Sequence, residues 1–178
     1  PAGVSQAVTA GQMSHAVSGL SCGNGSDTAL PSASGYLAPH SGLANVAKGH
    51  ITPIIASDGS VRKAPALICV DGQAYPALAL TAFLQGSRSA DWPETLEPGS
   101  SLLDPAYMLS LDDYPGLNIP LDSEGNMRVS YANDPSVYRA ISAIDVLNGS
   151  ADASLLEGTW ALVGATAFSM GDIVPTPY

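Results

Sequence analysis

Two Asp-Gly pairs, Asp58-Gly59 and Asp71-Gly72, bracket the apolar run Val61–Val70. An Asp-Gly pair supplies the positive φ angles that a tight hairpin turn requires. The residues ahead of the first pair include Ile51, Thr52, Ile54 and Ile55. Their β-branched side chains favour extended backbone. The spacing predicts a strand over 49–56, a turn at Ser57–Ser60, a strand over 61–70 and a second turn at Asp71-Gly72-Gln73. That is an antiparallel hairpin, and it bars an all-helical fold.

The rest of the chain agrees. Its 178 residues hold 18 Gly and 14 Pro, too many breakers for a helical bundle. Pro76 is read as opening a helix at its first turn, where a missing N–H costs nothing. Ala77–Gln85 continues that helix and Gly86 ends it. Residues 4–10 read as a short helix, 15–22 as a strand, and Leu43–Ala47 as one or two helical turns. Met127–Ala132 reads as a further strand. Ser142–Leu147 reads as a short helix, with Ser142 as N-cap, Asp145 three residues on, and Gly149 as its stop. Thr159–Thr166 is a continuous apolar run between glycines, the pattern of a strand buried on both faces. Residues 86–126 carry half of the 16 acids and several prolines without clear periodicity. They read as a long acidic irregular segment. The expected fold is α/β: a mixed sheet with an antiparallel hairpin and helices packed on it, in a single domain over 1–178.

Composition narrows the partners. The net charge is −10, and the six cations, Lys48, Arg62, Lys63, Arg88, Arg128 and Arg139, are scattered. Nucleic acid would repel such a chain. No apolar stretch approaches the roughly 20 residues needed to span a bilayer. The start, Pro1, and the apolar end give the chain the look of a piece cut from something longer. Cys22 and Cys69 form no C-x-x-C pair. They read as two small buried residues in apolar strands, although an even count also permits one disulfide in an oxidising compartment.

Candidate chemistry is sparse. Gly19-Leu20-Ser21-Cys22-Gly23 matches the G-x-S-x-G elbow of serine hydrolases, with Asp27 and His40 or His50 in the right chain order. The elbow requires a helix directly after the serine, and Asn24–Pro31 will not start one. A glycine-rich loop is the plainer reading of Ser21. His15, His40 and His50 share no metal-ligand spacing, so they read as structural histidines. Asp122-Ser123-Glu124-Gly125-Asn126 lacks the glycine position of a calcium loop and reads as a solvated turn. No catalytic residue, metal or cofactor is expected.

Several strings together resemble a known family. They begin with Leu43-Ala44-Asn45-Val46-Ala47, Gly49-His50-Ile51, Asp58-Gly59-Ser60-Val61-Arg62 and Pro65. They continue with Pro76-Ala77-Leu78-Ala79-Leu80, Val129-Ser130-Tyr131 and Ser142–Gly149. They close with Val163-Gly164-Ala165-Thr166, Gly171-Asp172 and Thr176-Pro177. In this order and spacing the chain resembles the type-two CHASE domain, the cyclases/histidine-kinases-associated sensory extracellular domain. The resemblance implies an extracytoplasmic sensor, periplasmic or extracellular, in a bacterial membrane receptor. Transmembrane helices would flank it, and the cytoplasmic output would be an adenylate or diguanylate cyclase or a protein kinase. The chain departs from the family pattern in two places. Residues 1–25 hold only the last part of an earlier α/β stretch, and the acidic segment is longer than usual.

The expected partner is a small molecule or an ion, and a homodimer is a further expectation. The candidate ligand-binding residues are His50, Asp58, Arg62, Thr166, Ser169 and Asp172. Arg62 is placed to pair with Asp58 and fix the turn, or to meet a ligand carboxylate with both nitrogens. Thr166, Ser169 and Asp172 follow the predicted buried strand, and ligands bind beyond the carboxyl ends of strands in open α/β sheets. His50 begins a strand and is a candidate for titration near neutral pH. Two other roles compete with sensing: a serine hydrolase using Ser21, and a ligand-free dimerisation module.

Overall fold

The computed structural model describes residues 8–13, 15–20, 22, 30–43, 45–86 and 91–164. The chain divides into two compact units at Val129/Ser130.

The first unit opens with β1 (Thr9–Ala10) paired in parallel with β2 (Tyr36–Leu37). Residues 4–10 are therefore strand, not helix, where they are described. In the segment 15–22, Ser18 makes a single parallel bridge to Pro93. A short 3-10 turn, Ser41–Leu43, ends where helix was expected over 43–47, and residues 45–47 form no helix.

β3 (Ile54–Ile55) and β4 (Val61–Pro65) form the first half of the predicted hairpin, antiparallel across Asp58-Gly59. The run 61–70 is not one strand. It breaks at Ala66, and β5 (Leu67–Val70) turns away to pair with β6 (Gln73–Pro76). Pro65 offers no N–H to continue a ladder. Ala66 instead donates its N–H to the Gly125 carbonyl (3.3 Å) and accepts from Ala77 N–H (2.9 Å). Asp71 and Gly72 have φ of 50° and 79°, the positive pair of a type I′ turn.

Pro76 is the last residue of β6, opposite Leu67, and does not open the helix. Its carbonyl accepts His50 N–H at 3.0 Å, which keeps it in the extended ladder. α1 (Leu78–Leu84) starts two residues later and buries Leu80, Thr81 and Leu84.

Residues 86–126 are corrected most. β7 (Glu94–Pro98), β8 (Tyr107–Leu111), β9 (Asn118–Leu121) and β10 (Asn126–Arg128) form an antiparallel meander. β10 also pairs with β4, which gives a six-stranded sheet in the order β3-β4-β10-β9-β8-β7. The periodicity was masked because the deeply buried residue of β7 is a carboxylate, Glu94, while β9 carries Pro120 on an exposed position. Leu67, Leu84, Leu109 and Leu121 form the centre of the core.

The second unit contributes α2 (Ala143–Leu147), stopped at Gly149 with φ 70°. Ser142 is the N-cap residue, but its side chain makes no capping bond. Thr159–Gly164 forms no strand, and Leu162 and Val163 are 93% and 95% exposed. An apolar run states a demand for burial without naming what meets it. Among the described residues nothing pairs with this one.

Cys22 and Cys69 form a disulfide across 47 residues of sequence. The reading as two free thiols is overturned. Both residues are buried, as expected, and burial in the same place is what brings them together. Closing a loop of this length removes about 4 kcal/mol of unfolded-state entropy. Urea unfolding with and without reductant, and of Cys69→Ser, is expected to show a loss of about 4 kcal/mol in each case.

Candidate functional site

Gly49 lies against the start of α1, where a Cβ would strike the backbone of Leu78 and the hydroxyl of Thr81. Only glycine permits this approach. The neighbouring residues are then pinned on both sides. Thr81 Oγ1 donates to the Lys48 carbonyl (3.3 Å). His50 N–H donates to Pro76 O (3.0 Å), and Leu78 N–H donates to His50 O (2.9 Å). The segment Lys48-Gly49-His50 is thereby held rigid between β6 and α1.

This segment forms one wall of a cleft of about 110 Å³. Met13, the stretch from Tyr36 to Pro39 and Tyr75 of β6 complete the lining. A space of this size holds a few waters or a small molecule. The lining is chiefly apolar, with a few polar groups.

His50 is half-buried, and burial lowers its pKa to about 4. The ring is neutral at pH 7, so the expected titration near neutrality is corrected: a partly buried imidazole disfavours its charged form. Its Nδ1 accepts Thr52 N–H (3.4 Å), which leaves the ring proton on Nε2. Nε2 is closed off from solvent and, among the described residues, has no hydrogen-bond partner. Tyr75 donates its hydroxyl to Gln73 Oε1 (3.1 Å), and burial, then Tyr36 and Asp71, raise its pKa. Lys48 Nζ donates to the Val46 carbonyl (3.2 Å).

Asp58 and Arg62 are used on each other. Arg62 grips both carboxylate oxygens of Asp58, at 2.9 and 2.7 Å, and both side chains are about half exposed. Ser60 adds its N–H and its hydroxyl to Asp58 Oδ1 (3.0 and 2.7 Å). Arg62, then Ser60, hold the Asp58 carboxyl well below the usual carboxylate range. The fork that was a candidate for a ligand carboxylate is occupied by the turn, and neither residue lines the cleft. Thr166, Ser169 and Asp172 lie outside the described residues, as do Ser21 and Asp27. Among the described residues no group of three His, Cys, Asp or Glu side chains is placed to hold a metal.

The sequence reading missed Gly49, Tyr36 and Tyr75. The Gly-His-Ile string was a signal for the first. The two tyrosines come from segments nearly forty residues apart in sequence, so no local pattern joins them.

The family model of the CHASE2 domain matches residues 6–178. The chain belongs to the CHASE2 domain family, a family of extracellular sensory, non-catalytic domains found in receptors with cyclase or kinase outputs. No curated protein and no solved structure matches the chain. Among the described residues no helix is long and apolar enough to cross a membrane.

The cleft yields two expected outcomes. A histidine titration followed by NMR is expected to show His50 neutral until the pH falls to about 4. The folded ring holds its proton less tightly than the unfolded chain. The stability it contributes is therefore complete above its unfolded pKa of about 6.5 and drains away as pH falls toward 4. Gly49→Ala is expected to lower stability by about 1–3 kcal/mol, an overpacking cost, measurable by urea unfolding.

Proposed function

We propose that this chain is the extracytoplasmic sensing domain of a bacterial transmembrane receptor whose cytoplasmic output is a nucleotide cyclase or a protein kinase. It binds a small molecule in the cleft beside His50 and passes a rearrangement to flanking transmembrane helices. Family membership supports the sensory role. The Cys22–Cys69 bridge supports an oxidising compartment outside the cytoplasm.

One observation carries the ligand reading. His50 presents a neutral ring on a pinned backbone in a chiefly apolar cleft, with a buried Nε2–H that nothing accepts. A buried donor without a partner costs free energy until an acceptor arrives. A ligand with an apolar body and a carbonyl, carboxylate or hydroxyl oxygen supplies that acceptor. Because Nε2 is shut off from solvent, the ligand must part the cleft wall to reach it. Binding then favours one arrangement of the wall over another, which is what coupling to a membrane helix requires.

The test is a thermal-shift series on the domain with small aliphatic and aromatic carboxylates, amides and alcohols. At least one is expected to raise Tm with concentration, as a ligand of the folded state must. His50→Ala is expected to abolish that shift and Arg62→Ala to keep it. A shift that survives His50→Ala moves the site elsewhere, and a flat series removes the cleft as a binding site for these classes.

A further inference from the structure

Glu94 is 1% exposed, and among the described residues neither of its carboxyl oxygens has a hydrogen-bond partner. It opens β7, the edge strand of the six-stranded sheet. Around this corner the hydrogen bonds are long. Glu94 N–H reaches Ser18 O at 3.2 Å, Ser18 N–H is shared between Asp91 O and Trp92 O at 3.2 Å each, and Asp112 N–H reaches Pro93 O at 3.3 Å. Well-made bonds of this kind lie near 2.9–3.0 Å. Trp92, buried just ahead of Glu94, is held at φ 44°, a left-handed conformation that a bulky side chain rarely adopts. The segment Val17–Leu20 lies along the corner. Firmer ties bound it, Val17 N–H to Ala74 O at 2.9 Å on one side and the Cys22–Cys69 bridge on the other. The corner thus combines a carboxyl with no partner among the described residues, hydrogen bonds at the long end of the ordinary range and strained backbone between two firm anchors.

We propose that Glu94 is a proton-operated latch: with its carboxyl neutral the Trp92–Glu94 corner stays docked on Val17–Leu20, and with the carboxyl ionised the corner opens. This goes beyond ligand binding at the cleft and does not depend on it.

A neutral carboxyl is tolerated in an apolar setting far better than a charged one, which demands water or a partner. Among the described residues no hydrogen-bond donor meets either carboxyl oxygen. Val17, Ser18, Gly19 and Leu20 are uncharged, and the turn after β8 brings two more acids, Asp112 and Asp113. Asp91 precedes the corner, and His15 lies against the Trp92 ring at 5.4 Å. Burial, then the charge of Asp112, push the Glu94 pKa up to about 8. The folded pKa lies above the unfolded one. The stability contributed by the neutral carboxyl is therefore complete below about pH 4.5 and is lost progressively as pH rises, the loss ending once pH passes about 8. The bonds that yield first are the long ones at the corner, since regions of weak bonding open locally before the fold does. The anchors at Val17 and Cys22 confine the opening and make it reversible.

The test is amide hydrogen exchange on the chain from about pH 6 to 9, corrected for the intrinsic rise of exchange with pH, together with infrared detection of a protonated carboxyl. Ser18, Glu94 and Asp112 amides are expected to lose protection by at least about tenfold across the titration, while Leu109 does not change. Glu94→Gln is expected to flatten that profile and to remove a protonated-carboxyl band seen in the unaltered chain near pH 6.5. If Glu94→Gln fails to fold, the band and profile of the unaltered chain still decide. No protonated band near pH 6.5, or exchange that does not vary with pH, overturns the latch. So does protection restored above pH 8 by millimolar calcium chloride, since the carboxylates would then be taking a cation.

Discussion

Ala66 is the hinge on which the first unit turns. It is fully buried, its N–H is bound to the end of the β9–β10 turn at Gly125, and its carbonyl is bound to Ala77 at the end of β6. One continuous apolar run therefore serves two sheets, with β4 inside the six-stranded sheet and β5 in the small hairpin. A side chain larger than methyl has no room at a position with no exposure in a close-packed interior. The helix start that positions His50 follows directly from this pivot, because Ala77 bridges both Ala66 and His50.

The disulfide acts on the same region from the other side. Cys69 sits in the middle of β5, and Cys22 brings the amino-terminal segment down onto it. The bridge joins that segment covalently to the small hairpin and lowers the entropy of the unfolded chain. The bridge and the pivot together account for a strand pair of only four residues each being wholly buried on β5.

Much of the local structure was legible. Asp58-Gly59 and Asp71-Gly72 marked both turns, because the φ demand of a tight turn is met by only a few residue types. The helices at 78–84 and at 143–147 followed from helix-forming residues and glycine stops. The meander over 94–128 was not legible. Its strands carry Glu94 inward and Pro120 outward, so the alternation that normally betrays a strand was inverted at one point and interrupted at another. Pro76 misled for a related reason: proline suits both a helix start and a strand end, and the partner Leu67 decided between them. Among the candidate site residues, His50 lines the cleft. The engagement of Arg62 by Asp58 was one of two open readings, and geometry chose it because the four-residue spacing across a tight turn leaves the guanidinium facing the carboxylate.

The chain's own sequence determined its turns, its acidity and the order of motifs that marks a CHASE2 domain. These depend on residue type and short spacing, and nothing distant can alter them. Tertiary structure decided which strands share a sheet, that Cys22 meets Cys69, that His50 is neutral and that Glu94 lies buried without a partner among the described residues. Each of these is set by what surrounds a group in space, and the desolvation that shifts a pKa or the proximity that closes a disulfide arises only when segments far apart in sequence are packed together.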